Sequence, residues 1–409
     1  MERIAVVGPG LMGLGITRIA AAAGCEVLLL GRDPAAALVG RQRLAAQLER
    51  EVARGRTTAE QSARVLAGVR AASSDAELGG CTLAIESVPE ERALKLDTLR
   101  RLQAALPPAA LIASNTSGLP ISGLARSLDQ PERFLGLHFF SPVERMKLVE
   151  VVRGEATAAS TLRAALDFVR RLGQVPVVVR DGPGFFTSRV FAAYLDEALA
   201  LVGEGVPPSD VDAVARELGR AIGPLALLDD ISLALNLQQI EQARADGLPA
   251  LRCRPLGAPV LAAMVAAGRS GRRQGGGFYD IASDGARVPW SGLARLFSGR
   301  TAGMPPEAIA QRLRWIEAIE ALHCLEEGVL DSADDADAAT MLGLAYPRAD
   351  GGVLSWVERF GLAGFVARAV VLAERHGERF RPSPWLRGVA AADGGLRRWR
   401  SSNSEGTLP

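Results

Sequence analysis

The sequence predicts an α/β domain with a mostly parallel sheet at the N-terminus, followed by all-α domains. Short apolar runs alternate with helical segments up to about residue 181, which is the pattern of a parallel sheet covered by helices. After Asp181-Gly182-Pro183-Gly184 the strand signals stop, and from Phe185 onward the pattern is helical apart from a glycine-rich piece at 275–279. A chain of 409 residues has room for two or three domains.

The first domain opens with a strand, a turn, a helix and a second strand. The apolar runs 4–7 and 27–30 predict the two strands, and the Ala-rich stretch 13–23 predicts the helix between them. A helical stretch at 34–66, interrupted near Gly55, comes next. Further strands are expected at 83–88, 111–113, 134–140, 148–152 and 176–179, and further helices at 91–106 and 156–172. This order predicts a Rossmann-like domain.

The helical half contains an internal repeat. At an offset of 123 residues the matching positions are Arg189 and Arg312, Glu197-Ala198 and Glu320-Ala321, Glu204-Gly205-Val206 and Glu327-Gly328-Val329, Asp212-Ala213 and Asp335-Ala336, and Pro224 and Pro347. Glycine, proline and paired acids in one register exceed what composition alone produces, so we predict two copies of one helical unit. The predicted domains are 1–182, 183–300 and 304–388, followed by a disordered tail rich in Gly, Ser and Arg at 389–409.

Composition excludes several classes of protein. The 47 Lys and Arg residues against 46 Asp and Glu give a net charge of +1 with no block of like charge, which argues against binding to nucleic acid or to a membrane surface. No apolar run approaches the roughly 18 residues of a membrane span. With no C-x-x-C pair and no histidine at ligand spacing, buried free thiols rather than a disulfide or metal site are predicted at Cys25, Cys81, Cys253 and Cys324. We therefore expect a cytoplasmic protein without a metal.

A glycine-rich motif lies between the first predicted strand and helix. Gly8-Pro9-Gly10-Leu11-Met12-Gly13 fits G-x-G-x-x-G. The first glycine permits the tight turn, the second lets the backbone approach a pyrophosphate, and the third allows the helix to pack closely on the strand. A turn without a ligand would also contain glycines, but the complete strand–turn–helix–strand frame favours dinucleotide binding.

The end of the second strand leaves the choice of dinucleotide open. An NAD site places an acid there to accept hydrogen bonds from the ribose. Here the chain has Gly31, Arg32 and Asp33. Asp33 could serve, whereas the guanidinium of Arg32 suits a 2′-phosphate or is a solvated loop residue.

A histidine and a glutamate lie 12 residues apart in neighbouring predicted strands. His138 lies in an apolar run and Glu150 lies between valines. Oxidation of an alcohol needs a base for the hydroxyl proton, and a carboxylate on the other ring nitrogen would stabilise the imidazolium. A satisfied core histidine and a glutamate on an exposed strand face explain the spacing equally well. Ser114–Gly118 follows another strand, and its polar residues fit either a ligand site or a helix cap.

Several motifs together resemble the 3-hydroxyacyl-CoA dehydrogenases over nearly the whole chain. They are Gly8–Gly15 (GPGLMGLG), Glu86–Glu91 (ESVPEE), Ala113–Gly118 (ASNTSG), Gly136–Val151 (GLHFFSPVERMKLVEV), Asp181–Arg189 (DGPGFFTSR), Gly223–Asp230 (GPLALLDD) and Gly275–Tyr279 (GGGFY). The repeat resembles the dehydrogenase part of the multifunctional β-oxidation enzymes without their hydratase domain. The resemblance implies duplicated C-terminal domains of the 6-phosphogluconate dehydrogenase C-terminal type. It also implies a monomer in which the second copy replaces a dimer partner, although a homodimer stays possible.

The resemblance also implies residue roles. His138 would be the general base, Glu150 would orient it, Ser117 would bind the reacting oxygen, and Ser188 would hold either the substrate carbonyl or the catalytic glutamate. The residues implied to contact the cofactor are Gly8, Gly10, Leu11, Met12, Gly13, Gly31, Arg32, Glu90, Lys95, Asn115, Ser141 and Arg273. The family implies NAD, while NADP is possible because Gly31 and Arg32 stand where the family has an acid.

The implied reaction is the interconversion of a 3-hydroxyacyl-CoA and a 3-ketoacyl-CoA thioester, with CoA also contacted near Lys95. One alternative is the same chemistry on a thioester bound to an acyl carrier protein in specialised metabolism. An alternative of another class is a non-catalytic dinucleotide-binding scaffold.

Overall fold

The apolar runs of the N-terminal part form an eight-stranded sheet in the computed structural model, which describes residues 2–245, 247, 254–297, 303–392 and 395–398. The chain consists of two compact units, Met1–Phe185 and Phe186–Pro409. The first unit therefore ends three residues beyond the predicted boundary at 182.

Strands and helices alternate through the first unit as the sequence predicts. Its strands are β1 (Arg3–Val7), β2 (Glu26–Leu30), β3 (Val69–Ala71), β4 (Leu83–Glu86), β5 (Leu111–Ser114), β6 (Phe134–Phe139), β7 (Leu148–Arg153) and β8 (Val175–Arg180). Its helices are α1 (Leu11–Ala22), α2 (Pro34–Ala53), α3 (Ala59–Ala67), α4 (Arg92–Ala105), α5 (Ile121–Ala125) and α6 (Ala159–Arg171). The predicted interruption near Gly55 separates α2 from α3. The three-residue strand β3 was not predicted, because so short a run has no readable period.

The order of the strands creates a crevice at the middle of the sheet. The strands lie in the order β3-β2-β1-β4-β5-β6-β7-β8, and every neighbouring pair except the antiparallel β6 and β7 is parallel. From β1 the chain first extends the sheet on one side and then crosses to β4 on the other side. Ligands bind at the carboxyl ends of the strands at such a switch point. The predicted Rossmann-like domain is confirmed.

Helices dominate the second unit. They are α7 (Thr187–Gly203), α8 (Pro208–Glu217), α9 (Pro224–Ile231), α10 (Leu233–Ala245), α11 (Gly257–Ala266), α12 (Leu293–Leu296), α13 (Pro306–Glu326), α14 (Ala333–Gly343), α15 (Val353–Phe360), α16 (Leu362–His376) and α17 (Pro384–Ala391). A small antiparallel hairpin, β9 (Tyr279–Ile281) and β10 (Arg287–Pro289), corrects the prediction that strands stop after residue 181. Helix α17 passes residue 389 and Leu396–Arg398 form a turn of 3₁₀ helix, so the tail is not disordered from 389 onward. Residues 399–409 lie outside the described residues.

The matched arginines and glutamates of the repeat pair reciprocally between α7 and α13 and the turns that follow. Arg189 donates to Glu320 at 2.8 Å and to Glu327 at 2.7 Å, while Arg312 donates to Glu197 at 2.5 Å and to Glu204 at 2.5 Å. Each arginine of one copy therefore binds both matched glutamates of the other copy. Arg312 is 1% exposed and Glu197 is fully buried, so this pair lies in the interior of the second unit.

The register of the repeat changes after these ion pairs. Asp212 accepts hydrogen bonds from the backbone N–H groups of Leu225 and Ala226 at 2.9 and 3.0 Å, in the first turn of α9. At the start of α15 the acceptor is Asp337, not the matched Asp335. The stretch from Glu327 to Asp337 in the second copy is two residues longer than the stretch from Glu204 to Asp212 in the first copy. The constant offset of 123 residues therefore predicted the wrong counterpart of Asp212.

Three cysteines are buried and belong to no disulfide, as the sequence predicts: Cys25, Cys81 and Cys324. Cys253 lies outside the described residues. Within the part of the chain that the structure describes, no group of His, Cys, Asp and Glu could hold a metal ion. The helices described there are also too short or too polar to cross a bilayer.

Candidate active site

A cleft of about 1110 Å³ opens at the carboxyl ends of the strands in the first unit. Its walls are the glycine-rich turn after β1, the end of β2, the segments that follow β4 and β5, and the end of β6. Among the predicted site residues, those that line the cleft are Gly8, Gly10, Leu11, Met12, Gly31, Arg32, Glu90, Asn115, Ser117, His138 and Ser141.

The glycine-rich turn has the shape that a dinucleotide pyrophosphate requires. Gly8 has φ +108°, and a Cβ there would lie 2.4 Å from the carbonyl oxygen of Ser87. A Cβ on Gly13 would lie 1.9 Å from the carbonyl oxygen of Gly8, so Gly13 acts by letting α1 pack on the turn. A Cβ on Gly10 would have no other atom of the surrounding structure within 4 Å, so the space beside it is open. Beyond it Leu11 is 78% exposed in the first turn of α1. The turn therefore fits a dinucleotide at the positive N-terminus of α1.

The structure brings His138 and Glu150 together. They occupy paired positions of the antiparallel strands β6 and β7, and Nδ1 of His138 lies 2.7 Å from Oε2 of Glu150. Glu150 is fully buried and His138 is 7% exposed at the wall of the cleft. The rings of Phe140 and Phe185 lie 4.4 and 6.0 Å from the imidazole. These aromatic neighbours, which sequence reasoning did not identify, limit the access of water to the pair.

Glu90 holds the segment after β5 in place. Its Oε1 accepts hydrogen bonds from the hydroxyl of Thr116 at 2.5 Å and from the backbone N–H of Ser117 at 3.0 Å. The hydroxyl of Ser117 lies 3.4 Å from the same oxygen. Burial alone would raise the pKa of Glu90, but the charge of Lys95 and these donors stabilise the carboxylate and lower its pKa. Glu90 is therefore an anionic acceptor that positions Ser117 at the cleft.

Lys95 lies beneath the cleft and does not line it. Its ammonium is 1% exposed and lies 2.8 Å from Oε1 of Glu86 and 3.2 Å from Oε2 of Glu90. It also donates to the carbonyl oxygen of Val88 at 3.3 Å. The ammonium is thus paired with two carboxylates and fixes Glu90, and the implied contact of Lys95 with cofactor or CoA stays a prediction.

Glu86 is a member of this network that sequence reasoning missed. It is fully buried at the end of β4 and accepts hydrogen bonds from the N–H of Val88 at 2.7 Å and the hydroxyl of Ser114 at 2.5 Å. An acid that ends an apolar strand nine residues before a rare lysine, Lys95, was the available signal. A buried carboxylate needs such partners.

Asn115 joins two strand ends. Its Oδ1 accepts a hydrogen bond from the backbone N–H of Phe139 at 2.9 Å, and its Nδ2 donates to Ser87 at 3.4 Å. The side chain thus connects the segment after β5 to the strand that carries His138. Ser141 follows that strand and lines the cleft.

At the end of the cleft near β2, Asp33 caps the N-terminus of α2. Its Oδ1 accepts a hydrogen bond from the N–H of Ala36 at 2.7 Å, and this bond lowers its pKa. Arg32 and Gly31 line the cleft there. Two further arginines in the lining, Arg43 and Arg101, were not identified from the sequence, since their positions on helices give no motif.

Two predicted site residues belong to the second unit. Ser188 is half-buried in the first turn of α7, and Arg273 is exposed in a short 3₁₀ helix before β9. Their implied contacts stay predictions.

The fold and cleft define a class of protein, the nucleotide-dependent dehydrogenases, in which a glycine-rich turn and a buried acid–base pair face one crevice. The family follows from comparison with known proteins. Residues 3–182 match the family model described as 3-hydroxyacyl-CoA dehydrogenase, NAD binding domain, and residues 184–281 match its C-terminal domain. The chain belongs to the 3-hydroxyacyl-CoA dehydrogenases, which are NAD-dependent oxidoreductases.

Solved structures agree with this family. The 3-hydroxybutyryl-CoA dehydrogenase of Escherichia coli K12 is 28% identical, with a TM-score of 0.81 over 96% of this chain and 98% of that one. The (S)-3-hydroxybutyryl-CoA dehydrogenase of Ralstonia eutropha is 32% identical, with a TM-score of 0.64 over 68% and 98%. The dehydrogenase part of multifunctional enzyme 1 from C. elegans, 22% identical, shares the fold with a TM-score of 0.67 over 95% and 89%. The carrier-protein and scaffold alternatives are not favoured.

Proposed function

We propose that this protein interconverts short-chain 3-hydroxyacyl-CoA and 3-ketoacyl-CoA thioesters, with 3-hydroxybutyryl-CoA as a substrate. The proposed acyl group is that of the E. coli and R. eutropha relatives, which are 3-hydroxybutyryl-CoA dehydrogenases and which this chain covers almost completely. CoA rather than an acyl carrier protein is the proposed carrier for the same reason.

The observation that carries the proposed mechanism is the contact between His138 and Glu150. With Nδ1–H donating to the buried carboxylate, Nε2 is left as the basic nitrogen. In the oxidative direction Nε2 takes the proton of the 3-hydroxyl group, and Glu150 stabilises the imidazolium that forms. In the reductive direction the imidazolium returns that proton to the carbonyl oxygen. A bound nicotinamide supplies the hydride acceptor or donor.

Ser117 is proposed to position the reacting oxygen. Its backbone N–H is held by Glu90, and Glu90 is in turn held by Lys95. The Ser117 hydroxyl, which lies 3.4 Å from Oε1 of Glu90, can turn its proton to the substrate oxygen and restrict that oxygen to the reactive orientation.

The test of this function is acetoacetyl-CoA reduction by His138→Gln. We expect kcat to fall by ~10²–10⁴-fold, the usual contribution of general acid–base catalysis, while the Kd of the reduced dinucleotide changes little. His323→Gln is the matched control, because this histidine is half-exposed on α13 in the second unit. A kcat of His138→Gln close to that of the wild type would refute the assignment.

We propose a monomer as the working form. The reciprocal ion pairs of Arg189 and Arg312 join the two helical copies within one chain, as an interface between subunits would. Sedimentation equilibrium should give one species of about 43.1 kDa. A stable species of twice this mass would contradict the proposal. The cytoplasmic location stays a prediction.

A further inference from the structure

The residue after β2 decides which adenosine ribose a Rossmann domain accepts. An acid at this position accepts hydrogen bonds from the free 2′-hydroxyl of NAD, whereas a nearby arginine accommodates the 2′-phosphate of NADP. In this chain the position is Gly31, and Gly31 and Arg32 both line the cleft.

The start of α2 leaves no room for an acid at position 31. A Cβ on Gly31 would lie 2.7 Å from Cβ of Ala36 and 2.8 Å from the backbone nitrogen of Ala37. Both contacts are shorter than van der Waals distance, and the second is with backbone, which cannot move without shifting the helix. The absence of a side chain at position 31 is thus built into the packing of α2.

The next acid along the chain is engaged elsewhere. Asp33 caps α2 through the N–H of Ala36 at 2.7 Å, and its other oxygen accepts from Nε of Arg32 at 3.2 Å. Using Asp33 as a ribose acceptor would uncap the helix, which costs about 1 kcal/mol in typical proteins.

Basic side chains dominate this end of the cleft. Arg32 is 90% exposed. Arg43 is exposed on the face of α2 that also carries Ala36 and Gly40, because residues three and four apart on a helix are neighbours. That face packs against the glycine-rich turn, since a Cβ on Gly40 would lie 2.4 Å from Cβ of Pro9. Among the residues that line the cleft, the acid is Glu90, which is bound to Lys95 and the segment after β5.

We propose that Gly31, Arg32 and Arg43 form a site for the 2′-phosphate of NADP(H), so that this member of an NAD-binding family binds NADP(H) more tightly than NAD(H). The inference rests on the proposed function, because it takes the dinucleotide to lie along the glycine-rich turn. Two guanidinium groups neutralise the dianionic 2′-phosphate, and the terminal nitrogens of Arg32, whose Nε is bound to Asp33, can donate to it in a bidentate manner.

The test is equilibrium binding without substrate, measured by the fluorescence of the reduced nicotinamide. We expect NADPH to bind about 10- to 100-fold more tightly than NADH at low salt, the usual gain from charge-assisted hydrogen bonds. The advantage should decrease as salt rises, because both arginines are exposed. Arg32→Ala and Arg43→Ala should each weaken NADPH binding about tenfold and leave NADH binding within about threefold.

Arg50→Ala is the matched control, since Arg50 is an exposed arginine on the same helix that is not part of the cleft lining. It should leave both affinities unchanged. Equal or tighter binding of NADH by the wild type, or equal loss of both dinucleotides in the arginine variants, overturns the inference and leaves the dehydrogenase proposal standing. If neither dinucleotide binds, the inference and the proposed function fail together.

Discussion

Replacing Glu150 by glutamine removes one charge from the site and keeps its shape. Oε2 of Glu150 lies 2.7 Å from Nδ1 of His138 in a fully buried position. Two unit charges about 4 Å apart at an effective dielectric constant of about 20 attract each other by ~4 kcal/mol. This attraction exists only while His138 is protonated, that is, as the proton leaves the substrate hydroxyl. Each ~1.4 kcal/mol is tenfold in rate, so the full term corresponds to ~10³-fold.

The amide oxygen of the glutamine can still accept the hydrogen bond from the ring, so part of the stabilisation persists. We therefore expect Glu150→Gln to lower kcat for 3-hydroxybutyryl-CoA oxidation by roughly 10²–10³-fold. The Kd of the dinucleotide should stay within about twofold, because Glu150 lies behind His138 and does not line the cleft.

The assay is steady-state kinetics with each cofactor, combined with thermal unfolding to verify that the variant is folded. Glu155→Gln, which removes an exposed carboxylate just after β7, is the control and should behave as the wild type. A folded Glu150→Gln protein with a kcat within threefold of the wild-type value would show that the carboxylate does not assist proton transfer.

Three further predictions concern the cofactor turn, the ion pairs and the pH dependence of stability. Gly10→Ala should weaken dinucleotide binding without lowering Tm, because its Cβ enters open space. Gly13→Ala should lower the free energy of unfolding by ~1–3 kcal/mol, because its Cβ overlaps the backbone of Gly8. Equal losses of Tm in the two variants would refute this distinction. Arg312→Met should lower the free energy of denaturant unfolding by ~1–3 kcal/mol, because Glu197 is fully buried but keeps its ion pair with Arg379. Arg189→Met should cost less, because its less exposed partner, Glu320, is 19% exposed; the reverse order would contradict the burial argument. Burial raises the pKa of Asp229 from 3.8 to about 6, so the protonated form is favoured in the folded state and stability falls as pH rises from about 4 to 6. The unfolding free energy of the wild type relative to Asp229→Asn should therefore fall by ~1–3 kcal/mol over that interval, and a rise would show that the pKa is lowered instead.

The sequence was sufficient for seven of the eight strands of the sheet and for the strand-end residues of the cleft. Strand, glycine turn and helix follow each other within one local unit, and the hydrophobic period identifies each element. The pairing of His138 with Glu150 also follows from sequence once the family motif is recognised, because a 12-residue separation across two adjoining strands returns to the same level of the sheet. Spacing alone left a core histidine as an equal possibility.

Side-chain contacts between residues of different elements could not be predicted from local patterns. The position of Lys95 one turn into α4 turns its ammonium inward, where Glu86 and Glu90 bind it, and the local pattern of α4 indicated neither partner. The counterpart of Asp212 was wrongly matched because a two-residue insertion moves the helix cap to Asp337 without disturbing the hydrophobic pattern. In both cases the local pattern was read correctly, and the partners that decide the role lie elsewhere in the chain.

The central claim is that the cleft reduces a 3-ketoacyl thioester with His138 as the proton donor. The most direct test is to mix the wild-type protein with acetoacetyl-CoA and reduced dinucleotide and to follow dinucleotide oxidation together with the product. The proposed function predicts one 3-hydroxybutyryl-CoA formed for each dinucleotide oxidised, and loss of this turnover in His138→Gln. Tight binding of the dinucleotide with no oxidation on any 3-ketoacyl thioester would contradict it.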